Sequence, residues 1–298
     1  MRRMLLTLAL FIPLAASAAR AQSAPTVGTV IIAHGAGPEW NAQVHDVAKQ
    51  VRTGGPVEVS FLMGAEARTR AFQDVVARLE AQGVAGIVVV PLLVSSHSGH
   101  YDQLRWLAGE IDTLSETMMH HLHMSGIDRA RAGVPLRLAK ALDDSPEVAR
   151  VLADRARALA TDPAEQALFI VGHGPNSAED HAEWMRNLRP VVDSVRAAAG
   201  FRDVKLGLVR DDAPAPVRAE AVTGIREMIA MQHALTRRDV VVVPVLISTG
   251  SVSREKLPKD LAGLPIVYDG TALLPHESVA RWVERRVREA SAVAASVR

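Results

Sequence analysis

The chain has 298 residues, 48% of them hydrophobic, and its 34 basic and 33 acidic side chains leave a formal charge of +1. That length fits two ordinary domains or one large one, and balanced charge with only 4% aromatics offers nucleic acid neither an electrostatic nor a stacking surface. The absence of cysteine excludes disulfides, thiolate metal sites, a cysteine nucleophile and cysteine-ligated iron–sulfur clusters, so any metal must be held by His, carboxylate or Met.

Residues 1–21 read as an export signal. Arg2 and Arg3 precede an apolar stretch, Leu5 to Ala16, that is too short to span a bilayer comfortably, and Ala19-Arg20-Ala21 supplies a cleavage site. In a cell with two membranes the mature chain, from Gln22, would be a soluble periplasmic protein. An uncut anchor is the alternative. No later segment looks transmembrane, so no stable span is expected once the signal is cleaved.

The rest of the chain reads as two copies of one pattern. The strand "TVIIAHGAGP" (Thr29 to Pro38) is followed by helical periodicity from Trp40 to Val51, a strand from Val57 to Leu62 and a helix from Ala67 to Gln82. Then comes "GIVVVPLLVSSHSG", and finally a short strand, a turn and an amphipathic helix in "VPLRLAKALDDSPEVARVLADRA". The second copy opens with "ALFIVGHGPN" (Ala167 to Asn176). It continues with a helix from Ala182 to Ala199, a strand from Val204 to Val209, a helix from Pro216 to Ala230, "DVVVVPVLISTGSV", and "LPIVYDGTALLPHESVARWVERRV". Val88 to Val90 and Val240 to Val243 are continuous β-branched runs, which predicts strands covered on both faces. Strands alternating with helices predict parallel sheets with right-handed crossovers. The expected fold is therefore α/β, with two tandem doubly wound parallel-sheet domains over 25–160 and 165–291 joined by "TDPAEQ". The stretch from Pro91 to Pro135 is longer than its counterpart from Pro244 to Pro265, so the first copy carries an insertion, which holds "ETMMHHLHMSG".

Ligands of open parallel sheets bind beyond the carboxyl ends of the strands. His34 follows the first strand; His97 and His100 follow the proline-interrupted strand, counted as the fourth. If those strands are neighbours, the imidazoles share a cleft. Two neutral imidazoles bind a divalent transition metal with coordination positions to spare, and they accept protons near neutral pH. A plain turn residue before glycine is the alternative for each. His173 repeats the position of His34, but "ISTGSVSREKLP" contains no histidine. A paired site therefore belongs to the first copy, and His173 reads as a relic or an outer group.

In "VIIAHGAGPEWNAQV", "VEVSFLMGAEARTRAFQDVVARLEAQGVAGIVVVPLLVSSHSGH" and "GTALLPHESVARWV" the chain resembles the class II chelatases, the CbiX/SirB type of sirohydrochlorin cobalto- or ferrochelatase. The resemblance implies a chelatase-like fold and insertion of Co2+ or Fe2+ into a tetrapyrrole, with no ATP or other nucleotide; Ni2+ is a further candidate ion. It implies His34 as one metal-binding, proton-removing histidine and His97 or His100 as the other, His97 ranking first. Such enzymes often carry Glu after the "FL" strand. Here Met63 stands there, and Glu66 is close but not at the matching position.

The carboxylates of such a substrate call for cations, and Arg105, Arg254 and Lys256 are the candidates. In the insertion, Met119, His120 and His123 fall at helical spacings that suit copper or a haem iron, or belong to an ordinary packed helix. His45, His181 and His233 are expected at the surface, and His276 as a helix cap. Nucleotide loops are excluded by the lack of spaced glycines and Lys, and a serine hydrolase by the lack of G-x-S-x-G. Two other readings compete with a chelatase: a non-catalytic exported carrier of metal or tetrapyrrole, and an interaction module that kept only the fold. Oligomeric state is not encoded in any recognisable feature.

Overall fold

The computed structural model describes residues 26–296; the expected export signal lies outside them. Among the described residues no helix is long and apolar enough to cross a membrane. The first half runs β1 (Val27–Ala33), α1 (Pro38–Ala48), β2 (Val57–Phe61), α2 (Ala65–Thr69), α3 (Phe72–Ala81), β3 (Gly86–Leu92), α4 (Gly99–Leu107), α5 (Glu116–Ser125), β4 (Leu136–Leu138) and α6 (Pro146–Leu159). The second runs β5 (Ala167–Gly172), α7 (Ala178–Ala199), β6 (Asp203–Leu208), α8 (Ala215–Thr236), β7 (Val240–Val245), a π-helical turn (Val252–Lys256) leading into α9 (Leu257–Asp260), β8 (Ile266–Val267) and α10 (Glu277–Ser296).

Each half forms a four-stranded sheet, ordered β2-β1-β3-β4 and β6-β5-β7-β8, and all pairings are parallel. This is the α/β architecture of two doubly wound parallel sheets expected. The valine runs are the central strands β3 and β7, buried throughout. "GIVVVPLLV" is the third strand of its half, not the fourth. The first helices begin earlier than expected, at Pro38, whose fixed φ suits a first turn, and at Ala178, behind the capping oxygen of Ser177. The helix expected over Ala67 to Gln82 is two, broken at Arg70-Ala71. There the Ser60 hydroxyl donates to the Arg70 carbonyl at 2.8 Å and holds the kink against β2.

The sheets close on each other through exchanged helices. α6, the last helix of the first half, packs on β7 and α7; α10, the last of the second, packs on β1, β3, α1 and α6. Trp282 and Val283 of α10 are fully buried, worth about 1.5–3 kcal/mol each in apolar burial. Arg285 of α10 donates to both carboxylate oxygens of Glu147 on α6, at 2.8 and 2.7 Å. Strand alternation sorts the second sheet's side chains accordingly. Phe169, Val171 and Val242 join the α8 side, while Leu168, Ile170 and Val243 join the core shared with the first sheet.

Candidate functional site

Chain order β1-β2-β3 against spatial order β2-β1-β3 makes the gap between β1 and β3 the point where strand direction reverses, and a crevice opens there beyond the carboxyl ends. Ala33 and Leu92 lie side by side at those ends, so the loops that follow must meet.

The loop after β1 is clamped. Gly35 has φ +86, and a Cβ there would collide with the Met63 carbonyl oxygen, so the sharp turn requires glycine. The Met63 amide donates to the His34 carbonyl at 2.9 Å. Asn41, 1% exposed, accepts from the Ala36 amide at 2.9 Å and donates to Glu66 at 3.1 Å. Glu66 also accepts from His45 Nε2 at 2.8 Å. Burial alone would raise the Glu66 pKa, but the bonds from His45 and Asn41 hold it below the usual carboxylate range. Glu66 thus supports the His34 loop. His45, expected at the surface, is part of that support, with its ring edge against Phe61.

The segment after β3 is clamped by Asp143, which accepts from the Ser96 amide and the Ser96 hydroxyl, each at 2.7 Å. Ser98 caps α4 by accepting from the Tyr101 amide. His100 therefore sits in the first turn of a helix, while His97 remains in the loop. His100 is the ring that meets His34, with centroids 4.6 Å apart and planes at 80°. His97 turns elsewhere: it is 43% exposed, its Nε2 lies 3.9 Å from Glu183, and its carbonyl accepts from Trp184 Nε1 on α7.

Hydrogen bonds fix the tautomers of the pair. His34 Nδ1 lies 2.8 Å from the Gly35 carbonyl, which only accepts, so Nδ1 carries the proton. Gln103, 1% exposed, donates through Nε2 to the Met118 carbonyl at 2.8 Å; its Oε1 therefore faces His100 Nδ1 at 2.8 Å, and that nitrogen must donate too. Both Nε2 lone pairs are left for other partners. Burial, then the charge of His100, lowers the His34 pKa to about 4. Burial also lowers that of His100 against the opposing bond from Gln103. Both rings are neutral at physiological pH.

The second half contributes to the same crevice. His173 donates from Nδ1 to the Gly174 carbonyl at 2.8 Å, as His34 does to Gly35. Its Nε2 lies 3.4 Å from Asp212 and 3.8 Å from Asp211, and the three side chains form a possible metal-holding group. Asp211 is engaged by Lys256 at 2.6 Å and Arg218 at 3.1 Å. Burial works to raise its pKa, and these two cations pull it below normal. His173 and Asp212 act electrostatically on both His34 and His100. The crevice therefore faces both halves, and His173 is part of it.

The three candidate cations all hold carboxylates: Arg105 holds Asp102 at 3.1 Å, Arg254 holds Glu39 across the two halves at 2.6 Å, and Lys256 holds Asp211. In α5, His120 and His123 face solvent and Met119 is half-buried, while Leu122 is fully buried. The histidine turned inward is His121, which spacing from Met119 did not single out. His276 accepts from the Ser278 amide at 3.1 Å and caps α10, as expected.

A family model for CbiX matches residues 28–159. The matched segment contains His34, His97, His100 and the whole insertion. Among curated proteins none matches the chain by sequence. Among solved structures the chain is similar to SirB from Bacillus subtilis with Fe3+, at 17% identity and TM-score 0.60 over 91% of this chain and 98% of that one. It is also similar to the sirohydrochlorin chelatase SirB from Bacillus subtilis subspecies spizizenii in complex with cobalt, at 17% identity and TM-score 0.57 over 89% and 95%. A third is DR2241 from Deinococcus radiodurans, a multi-domain protein with structural similarity to chelatases, at 19% identity and TM-score 0.54 over 89% of this chain and 55% of that one. These likenesses show that the fold shared with these structures extends past the matched segment into the second half.

Proposed function

We propose that the protein is a chelatase that inserts a divalent ion, Co2+ or Fe2+, into a tetrapyrrole of the sirohydrochlorin class, with no nucleotide. One observation carries this reading: two perpendicular neutral imidazoles at a strand-end crevice, each with Nδ1 committed and Nε2 free. Two imidazoles bound to one ion at about 2.0–2.1 Å, at roughly tetrahedral to right angles, place their centroids about 4.5–5 Å apart, and the observed separation is 4.6 Å. In this reading His34 and His100 present the ion and His97 supports the loop. Neutral imidazoles compete weakly enough to release the ion to pyrrole nitrogens.

Insertion expels two pyrrole protons. His173 and Asp212, which act on the pair from the second half, would accept them, and Asp212 would supply the carboxylate absent at Met63. Arg254 and Lys256 would exchange Glu39 and Asp211 for substrate carboxylates, with Arg105 farther along α4. The exchanged helices fix the two walls relative to each other, which supplies orientation rather than strain. We read residues 25–160 and 165–291 as two copies of one unit, and residues 1–21 as an export signal that places the mature chain in a periplasm. N-terminal sequencing of the protein from its native cells tests the export.

A non-catalytic carrier is the second reading, favoured by the engagement of Glu66 with Asn41 and His45, which leaves the pair without a carboxylate from its own half. Turnover separates the two. Anaerobic mixing of the protein with sirohydrochlorin and Co2+, followed by absorbance, should show acceleration that is lost in His34→Ala and His100→Ala and retained in His97→Ala. Tight binding without acceleration would establish the carrier instead.

A further inference from the structure

Strand pairing sets the ends of β5 and β6 side by side, Gly172 opposite Leu208, so the residues that follow them meet. His173 leaves β5 through a turn at Gly174, whose φ of +77 suits glycine. The turn commits Nδ1 to the Gly174 carbonyl, which only accepts, so Nδ1 carries the proton and Nε2 presents a lone pair. The loop after β6 is tied to the same place by the Asp211 amide, which donates to the His173 carbonyl at 3.3 Å. It brings Asp212 Oδ2 and Asp211 Oδ2 to 3.4 and 3.8 Å from Nε2, longer than an N–H···O bond normally runs. Three acceptor atoms thus face one another, all within 4.8 Å. Two ligand atoms bound to one ion at about 2.0–2.2 Å lie about 2.8–3.6 Å apart. The His173–Asp212 spacing already fits, and Asp211 falls just outside. The charges around the group are uneven. Asp211 accepts from Lys256 at 2.6 Å and from Arg218 at 3.1 Å, and Arg218 also holds Asp260 at 2.7 Å. Three carboxylates against two cations leave one negative charge, on the exposed Asp212, for a further cation.

We propose that His173, Asp211 and Asp212 form a second divalent-ion site, in the second half of the chain. One imidazole and two carboxylates suit Fe2+, Co2+ or Mn2+. The ion takes the place of Lys256 at Asp211 Oδ2, and the lysine, half exposed, turns into solvent. The role of the site, though not its existence, rests on the chelatase reading. His173 and Asp212 act electrostatically on His34 and His100, so an ion held here waits beside the pair. Once it has passed on to the macrocycle, His173 Nε2 and the Asp212 carboxylate are free to take the two pyrrole protons. The group exchanges one divalent ion for two protons, and its net charge is conserved.

The test is a titration of the purified protein with Co2+ alone, read by calorimetry and by the visible ligand-field spectrum. It compares wild type, Asp212→Asn, Lys256→Gln and the double variant His34→Ala/His100→Ala. Asp212 is exposed, so its amide variant reports ligation without disturbing the core. The expected result is two Co2+ ions per wild-type chain, of which one is weakened at least about tenfold in Asp212→Asn and tightened in Lys256→Gln, while the double variant keeps that ion and loses the other. One ion per wild-type chain, unmoved by Asp212→Asn and lost in the double variant, would overturn the second site and leave the pair standing. One ion per chain, weakened in Asp212→Asn and kept by the double variant, would support the second site and overturn the pair.

Discussion

Acid should destabilise this protein through His34, by an amount that the structure sets. Burial, reinforced by the charge of His100, lowers its pKa from 6.5 to about 4. Between those two pH values the unfolded chain binds a proton that the native state does not. Stability therefore falls as pH drops from about 6.5 to about 4 and levels off below that. The full loss is about 3 kcal/mol at 1.36 kcal/mol per pH unit, an upper figure because the ring is only partly buried. His34→Asn removes the titrating group and keeps a polar side chain. Urea unfolding of both proteins at about pH 7.5 and pH 4.5 should show the wild type losing about 2–3 kcal/mol more than the variant across the interval. Glu66 and Glu147, whose pKa values are lowered in the native state, titrate in both proteins and cancel in the comparison. Parallel losses would refute the argument that the crevice holds His34 neutral.

Gly35→Ala should displace His34 and cost about 1–3 kcal/mol or more from backbone strain, seen as a lower urea midpoint together with weaker Co2+ binding. Asn41→Ala frees the Ala36 amide and Glu66; a loss of about 1–3 kcal/mol with reduced Co2+ affinity in calorimetry is expected, and an unchanged affinity would mean the loop holds itself. Glu147→Ala breaks the bidentate pair to Arg285 and should lower stability by about 1.5–3 kcal/mol without altering the visible spectrum of the bound ion.

The strand ends were legible because an apolar β-branched run that stops at His-Gly has few other readings, and His34 follows directly. The choice between His97 and His100 was not, because spacing from Pro91 does not reveal that Ser98 starts a helix. That cap turns His100 toward β1 and leaves His97 facing α7. The available signal was Ser98 followed by helical spacing of Leu104 and Leu107, both buried. That His121 turns inward, not His120 or His123, follows from helix phase against buried Leu122, which distance from Met119 does not reveal. The exchange of α6 and α10 could not be read at all. An amphipathic stripe states that a helix face is buried, not which sheet buries it. The role of Asp212 was not legible either, because its approach to His173, from the loop after β6 to the end of β5, depends on strand order that the sequence does not state.

The most direct test is a crystal structure of the protein grown with Co2+, using the metal's anomalous signal to locate it. The account predicts an ion about 2.0–2.2 Å from Nε2 of His34 and Nε2 of His100, in the crevice between β1 and β3. An ion held only by His173, Asp211 and Asp212, with His34 and His100 still packed ring against ring, would contradict it.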